Sequence, residues 1–422
     1  MEKRFKDSNI SWVGLIPERW SVQRNKNAFI CSKELIGELS SSTQLLSLTT
    51  KGIRAIKEGD TSGKVPESYN TYQIVKNNNL VMCLFDLDCS AVFAGISNYE
   101  GMISPAYKVL SCKNSIIPQY ANYWFAYVFD GRKFMHYSKN IRYSLTYDEF
   151  SALRIVIPPL YEQQHIVDFL DGKCGEIDML IEVQEQMIEK LKIYKQSVIS
   201  EAVTKGLNPN IEVKQSGIDW LKKLPIHWNV ITPKALFSLR KEKAKKGERQ
   251  LTASQQYGVI YQDEYMQLTG TKIVTVMKDF DILKHVESGD FVISMRSFQG
   301  GLEYSENTGS ISSAYVMLIP NPKYVYPKFY RWLFKSSFYI NALHSTSNMV
   351  RDGQAMRYSN FVQVPLYVVP LSEQKEIASY LDEKCADIDR LIDLKQQKIE
   401  KLKEYKKSII YEAVTGKLDL CN

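Results

Sequence analysis

The sequence predicts an α/β protein of two similar globular domains separated by two long antiparallel coiled-coil helices, the halves forming a pseudo-two-fold internal repeat. Three observations predict it. Residues 159–204 recur 211 positions later at 370–415, with 27 of 46 aligned residues identical. A second repeat returns Ser8, Ile10, Trp12, Pro17, Trp20, Val22 and Phe29, 208 residues on, as Ser216, Ile218, Trp220, Pro225, Trp228, Val230 and Phe237. At 422 residues and 44% hydrophobic content, the chain is long enough for two or three domains that each bury a core. Repetition at this spacing sets the architecture before any local signal is read.

The chain opens on an entry segment in which two tryptophans flank a proline, and the same segment reopens the second half. Large aromatics around a proline are packing residues, so each entry segment is expected to pin the start of a globular domain to its neighbour. Residues 23–158 and 231–369 follow. They agree only in patches, such as Ser104-Pro105-Ala106-Tyr107 against Ser312-Ser313-Ala314-Tyr315, which implies one framework with two fillings. Short β-rich runs at 79–85 and 290–295 precede helical stretches at 119–128 and 328–338, which start after Pro118 and Pro327.

Each copy of the long repeat reads as one helix. Pro159 or Pro370 stands ahead of it, Glu162 or Glu373 favours its positive end, and Gly206 or Gly416 stops it. Apolar residues alternate in steps of three and four at Val167, Leu170, Cys174, Ile177, Ile181, Ile188, Leu191, Val198 and Ala202. The second copy repeats the seam at Ala378, Leu381, Cys385, Ile388, Ile392, Ile399, Leu402, Ile409 and Ala413. So strict a heptad pattern is a coiled-coil seam. Polar residues interrupt it at Gln184, Lys195, Lys395 and Lys406. Two readings stand for these: devices that fix one pairing register, or a frayed and partly wet seam. Gly172 and Gly175, in the first copy alone, mark a place for a bend. At about 1.5 Å per residue such a helix is ~64 Å long, and an antiparallel pair would hold the domains at opposite ends of a rod.

The net charge is +7, but the two helical repeats carry −6 between them, which leaves +13 on the remaining segments. A basic surplus interleaved with tyrosines, of which the chain has 26, suits a polyanion; solvated lysines alone would give the same number. Seven cysteines without a C-x-x-C pair argue against a disulfide framework and a zinc site, and Cys174 and Cys385 read as core residues. No apolar run approaches the roughly 20 residues of a membrane span, and the N-terminus is polar, so the expectation is a soluble, cytoplasmic protein. Catalytic constellations are not found. Asn321-Pro322-Lys323-Tyr324 departs from the N-P-P-Y loop of adenine methyltransferases at its third residue, 298–301 is too short for a cofactor loop, and no G-x4-G-K-[ST] loop exists for ATP. His136, His165, His227, His285 and His344 show no ligand spacing.

A rigid spacer carrying two different basic domains of one fold suggests a ruler that reads two separated sites on duplex DNA. Here the chain resembles the specificity (S) subunits of Type I restriction-modification systems. The resemblance rests on the doubled P-L-x-E-Q, the D-x-K-C-x-x-I-D core at 171–178 and 382–389, the E-A-V-T ends at Glu201 and Glu412, and the paired entry tryptophans. It implies a non-catalytic, DNA-binding subunit with two target recognition domains, one per half of an asymmetric bipartite sequence. It also implies two methyltransferase (M) and two restriction (R) subunits as partners, with S-adenosylmethionine, ATP and Mg belonging to those partners, and a role in DNA methylation and phage defence in a prokaryotic cytoplasm. A methylation-only adaptor without nuclease, and a purely structural scaffold, are the competing readings. The domain boundaries expected are 1–158, 159–207, 208–369 and 370–416, with a tail at 417–422. Candidate DNA contacts are Arg54, Lys57, Lys64, Arg132, Lys139, Arg142 and Tyr143 in the first domain, and Arg296, Gln299, Arg351, Gln354, Arg357 and Tyr358 in the second. Arginine and glutamine suit the edges of guanine and adenine, and lysine suits phosphate; a solvated surface charge is the alternative for each.

Overall fold

The computed structural model describes residues 4–57, 68–133, 143–273, 282–295, 297–346 and 356–420. The chain divides into two compact units, Met1–Glu185 with Gln397–Asn422, and Gln186–Gln396. Each unit therefore holds the first part of one long helix and the last part of the other.

In the first unit a four-stranded antiparallel sheet runs in the order Phe29–Cys31, Lys108–Cys112, Leu80–Met82, Ala94–Ile96. Its central strand is apolar at every position because both faces are covered. Leu80 and Met82 point into the larger core with Phe29, Tyr120 and Trp124. Val81 and Val109 point the other way, into a smaller core with Leu46, Leu48, Ile53 and Val75. That smaller core carries an outer layer of two ribbons, Leu46–Thr49 with Gly52–Ala55 and Gln73–Val75 with Gly101–Ile103. The helix Pro118–Asp130 covers the inner face. Ser21–Arg24 pairs with Arg154–Ile157 to close the module just before the long helix.

The second unit repeats the sheet and both ribbons. Its sheet is Phe237–Leu239, Val316–Pro320, Phe291–Ile293, Glu303–Tyr304, with Phe291 and Ile293 in the larger core and Val292 and Met317 in the smaller. The ribbons are Leu251–Ser254 with Gly258–Tyr261 and Lys284–Val286 with Gly309–Ile311. The expected helix over 328–338 is two helices, Pro327–Phe334 and Ser337–Ser345. Ser336 separates them because its hydroxyl accepts from the Tyr339 N–H and caps the second. The patches shared by the two sequences are a common turn: the Ala106 and Ala314 N–H groups donate to Ser104 and Ser312 Oγ at 3.3 Å.

The long helices are Leu160–Lys205, 46 residues, and Leu371–Val414, 44 residues. They pack antiparallel as a coiled coil. Val167, Leu170, Cys174, Ile177, Ile188, Val198 and Ala202 are buried, as are Ala378, Leu381, Cys385, Ile388, Ile399, Ile409 and Ala413. Ile181, Leu191, Ile392 and Leu402 are half-buried. The first helix runs through Gly172 and Gly175 without interruption, and an added Cβ at either would meet nothing within 4 Å.

Two of the polar seam positions carry ion pairs. Lys406 Nζ lies 2.7 Å from Asp178, and Lys195 Nζ lies 2.6 Å from Asp389, so each copy's lysine reaches the last aspartate of the other copy's D-x-K-C-x-x-I-D core. The same pair of contacts, one in each unit, marks one antiparallel register. The neighbouring thiols of Cys174 and Cys385 are pushed up to about 11 by burial, which suits inert core residues.

Candidate nucleic-acid interface

The repeated motif residues build the frame that presents the outer layer. Glu162 is buried at the first helix start, where it accepts from Trp20 Nε1 at 2.9 Å and lies 2.6 Å from Arg19 Nε. Glu373 does the same for Trp228 Nε1 at 3.0 Å, with His227 Nε2 at 2.8 Å. The adjacent glutamines tie the module to the helix start. Gln163 donates to the carbonyls of Ser115 and Pro158 and accepts from Ile117 N–H; Gln374 donates to Tyr324 and Val369 and accepts from Tyr326 N–H. P-L-x-E-Q is thus a junction in which a carboxylate near the helix N-terminus and a fully bonded amide satisfy otherwise orphaned groups.

The C-terminal end of each helix meets the same tryptophans. A Cβ on Gly416 would stand 2.3 Å from Pro17 Cδ and 3.0 Å from Trp20, and one on Gly206 would stand 2.9 Å from Glu373 Oε1. Both glycines also have positive φ, 74° and 75°, so they are required for conformation and for close approach. Asp171 accepts from Tyr123 OH at 2.6 Å, and Asp382 accepts from Trp332 Nε1 at 2.8 Å and from Arg331, which fixes the module's helix against the long one. Each domain is held rigidly by its inner side, and the outer ribbons and loops are left to vary.

The candidate contacts fall on these outer parts in unequal ways. Arg54 is exposed in the strand Gly52–Ala55, and Lys57 is exposed two residues after that strand. Tyr143 is exposed, with φ 48°. Gln299 is exposed in the short helix Ser297–Gly300, and Arg357 is exposed just ahead of Tyr358–Phe361. Arg132 faces inward: its guanidinium donates to the carbonyls of Leu87 and Ser90 and lies 4.5 Å from the centroid of the Phe129 ring. Tyr358 is half-buried against the larger core of its unit. Lys64, Lys139, Arg142, Arg296, Arg351 and Gln354 lie outside the described residues.

The run 240–249, Arg-Lys-Glu-Lys-Ala-Lys-Lys-Gly-Glu-Arg, holds six bases and two acids and is not among the candidate contacts drawn from sequence. Arg240, only 7% exposed, binds Asp290 through two nitrogens at 2.6 and 3.0 Å and also meets Glu242 and Glu287. Arg249 pairs with Asp263 and Glu264 and lies 3.6 Å from the centroid of the Tyr261 ring. Both arginines face structural partners, and the lysines between them face solvent. The signal available in sequence was the density of lysine in a loop joining two strands.

A twice-built frame bearing two different outer surfaces defines a class of protein that presents variable recognition layers on one scaffold. A family model, the Type I restriction modification DNA specificity domain, matches residues 42–192 and 225–404. The chain belongs to this family and is a DNA-recognition specificity subunit of a Type I restriction-modification system, a non-catalytic one. It is similar to the Type I restriction enzyme MjaVIII specificity subunit of Methanocaldococcus jannaschii, 24% identical over 100% of this chain and 97% of that protein. It is also 23% identical to the putative MjaX specificity subunit of the same organism, over 99% and 97% of the two chains. Among solved structures, a chain from a study of complex assembly and conformational transition of the type I R-M system superposes with a TM-score of 0.70 at 13% identity, covering 96% of this chain and 99% of that one. The HsdS subunit from Thermoanaerobacter tengcongensis gives 0.50 at 13% identity, covering 96% and 98%. These likenesses show the fold. No described helix is long and apolar enough to cross a membrane.

Proposed function

We propose that the chain binds an asymmetric, bipartite duplex target, one half through each module, and directs two methyltransferase and two restriction subunits to it. The observation that carries this reading is the repetition of one antiparallel module with identical strand order and different outer residues. Identical frames give two sites of the same kind, and different outer layers give two different sequences. In this reading the target recognition domains are residues 23–158 and 231–369, and the helices 160–205 and 371–414 are spacers whose length sets the unspecified gap. Arg54, Lys57, Tyr143, Gln299 and Arg357 are the described contacts with exposed side chains, arginine and glutamine for base edges and lysine for phosphate. S-adenosylmethionine, ATP and Mg belong to the partner subunits.

Exchange of residues 23–158 for the matching segment of a relative tests the proposal. Methylome sequencing should show one half of the modified sequence changed and the other retained. If both halves changed together, or neither did, the modular assignment would be wrong.

A further inference from the structure

We infer that residues 241–246 form a prefolded clamp for the phosphate backbone at the half-site read by the second module, a feature that the first module lacks. The inference rests on the DNA-binding reading above and adds which element holds the backbone there. Lys241, Lys243, Lys245 and Lys246 are all exposed. Among the described residues none of the four forms an ion pair, although the charge of Lys245 reaches Glu287. Of the acids of the run, Glu242 shares Arg240 with Asp290 and Glu287, and Glu248 lies against His285. What faces solvent is therefore four lysines within six residues, with the carboxylates of Glu242 and Glu287 beside them.

The backbone beneath them is held along one edge by residues 283–285. Lys243 bridges Lys284, the His285 N–H donates to the Glu242 carbonyl, and the Ala244 N–H donates to the Leu283 carbonyl, so the segment is extended. In an extended segment Lys241, Lys243 and Lys245 share one side at a repeat of about 6–7 Å, from ~3.3 Å per residue. That is of the order of the distance between neighbouring phosphates on one strand. A turn follows at Gly247, with φ 87°, closed where Glu248 Oε2 accepts from the Lys245 N–H at 3.0 Å. Fully buried His285 lies under this turn, with Glu248 Oε1 2.7 Å from Nδ1 and Glu287 Oε1 3.4 Å from Nε2. The ordering cost of four flexible cations is thus partly met by the fold before DNA arrives.

The matching stretch of the first module has no such row. It follows Phe29–Cys31, carries Lys33 with Glu34 and Glu38, and includes the 3-10 helix Gly37–Ser42. Glu34 is itself paired with Lys76 at 2.9 Å.

The test uses the assembled specificity and methyltransferase subunits, with binding measured against salt concentration on the cognate duplex and on a random duplex. The quadruple variant K241A/K243A/K245A/K246A should reduce the slope of log K against log salt by about 2–4, since each phosphate contact contributes roughly 0.9. The methylated sequence should stay unchanged, and replacement of the four lysines by arginine should restore the slope, whereas K33A in the first module should leave it alone. Glu248→Ala separates prefolding from charge. It removes one negative charge, yet by releasing the turn it should weaken binding several-fold. A wild-type slope in the quadruple variant, an altered methylation sequence, or tighter binding by Glu248→Ala would each overturn the inference. The random duplex keeps it testable apart from the bipartite reading, because the clamp should change that slope even if the target proved not to be bipartite.

Discussion

Deleting one heptad from each long helix, residues 182–188 and 393–399, shortens both by about 10 Å at ~1.5 Å per residue. The windows are matched. Asp178 faces Lys406 and Lys195 faces Asp389, so both deletions fall between the two ion pairs, and the windows overlap across the seam at 185–188 and 396–399. Each removes one buried seam isoleucine, Ile188 or Ile399, a loss of about 1.5–3 kcal/mol apiece. Seven residues preserve the phase of the heptad, so the double deletion retains both ion pairs and brings Leu191 and Leu402 to the new junction. A single deletion cannot: it leaves one ion pair in place and displaces the other by about 10 Å. On DNA, ~10 Å is about three base pairs, at ~3.4 Å per step. With ~10 base pairs per turn, it is also a rotation of about 100° between half-sites. Methylome sequencing of cells carrying each variant should show the unspecified gap shortened by about three base pairs, or activity lost where the rotation turns one half-site away. Single deletions should give no modification. An unchanged gap with full activity after the paired deletion would refute the idea that helix length sets the spacing.

Three further outcomes are expected. Gly172→Ala and Gly175→Ala occupy open space on a continuous helix, so each should stabilise the protein by about 0.5–1 kcal/mol in urea unfolding; destabilisation would mean a partner or a bend needs the glycine. A double-mutant cycle of Asp178→Ala and Lys406→Ala should give a coupling of about 0.2–1 kcal/mol, small because the aspartate is 58% exposed, and it should shrink in high salt. Glu287 is held below the usual carboxylate range by its hydrogen bond from His285 and then by Arg240, and Asp263 by Arg249. A depressed carboxylate stabilises the fold above its unfolded value, here 4.5 and 3.8, and that contribution is lost as pH falls through the folded value. Thermal melts below about pH 4.5 should show this loss, and Arg249→Ala should remove the Asp263 part of it.

The sequence by itself determined the architecture, because that information is periodic and local. A heptad seam, a proline before it and a glycine after it specify a long helix wherever it packs, and a repeat offset of 211 residues specifies that there are two. The entry tryptophans were legible as anchors, although not their target, since nothing local in Glu162 or Glu373 says that an indole 142 or 145 residues away will donate to it. Tertiary structure decided the roles of the charges. Lys195 and Lys406 read equally as register devices or as a frayed seam until the antiparallel partner supplied Asp389 and Asp178. Arg132 read as a DNA contact, and only the fold shows the Leu87 and Ser90 carbonyls beside its guanidinium. The run 240–249 carries six bases and two acids in sequence, and only the fold shows that Asp290 takes Arg240 while Lys241, Lys243, Lys245 and Lys246 stay exposed. Periodicity survives without knowledge of neighbours because it describes one element; the meaning of a charge depends on which opposite charge the fold places within about 4 Å, and that partner is distant in sequence.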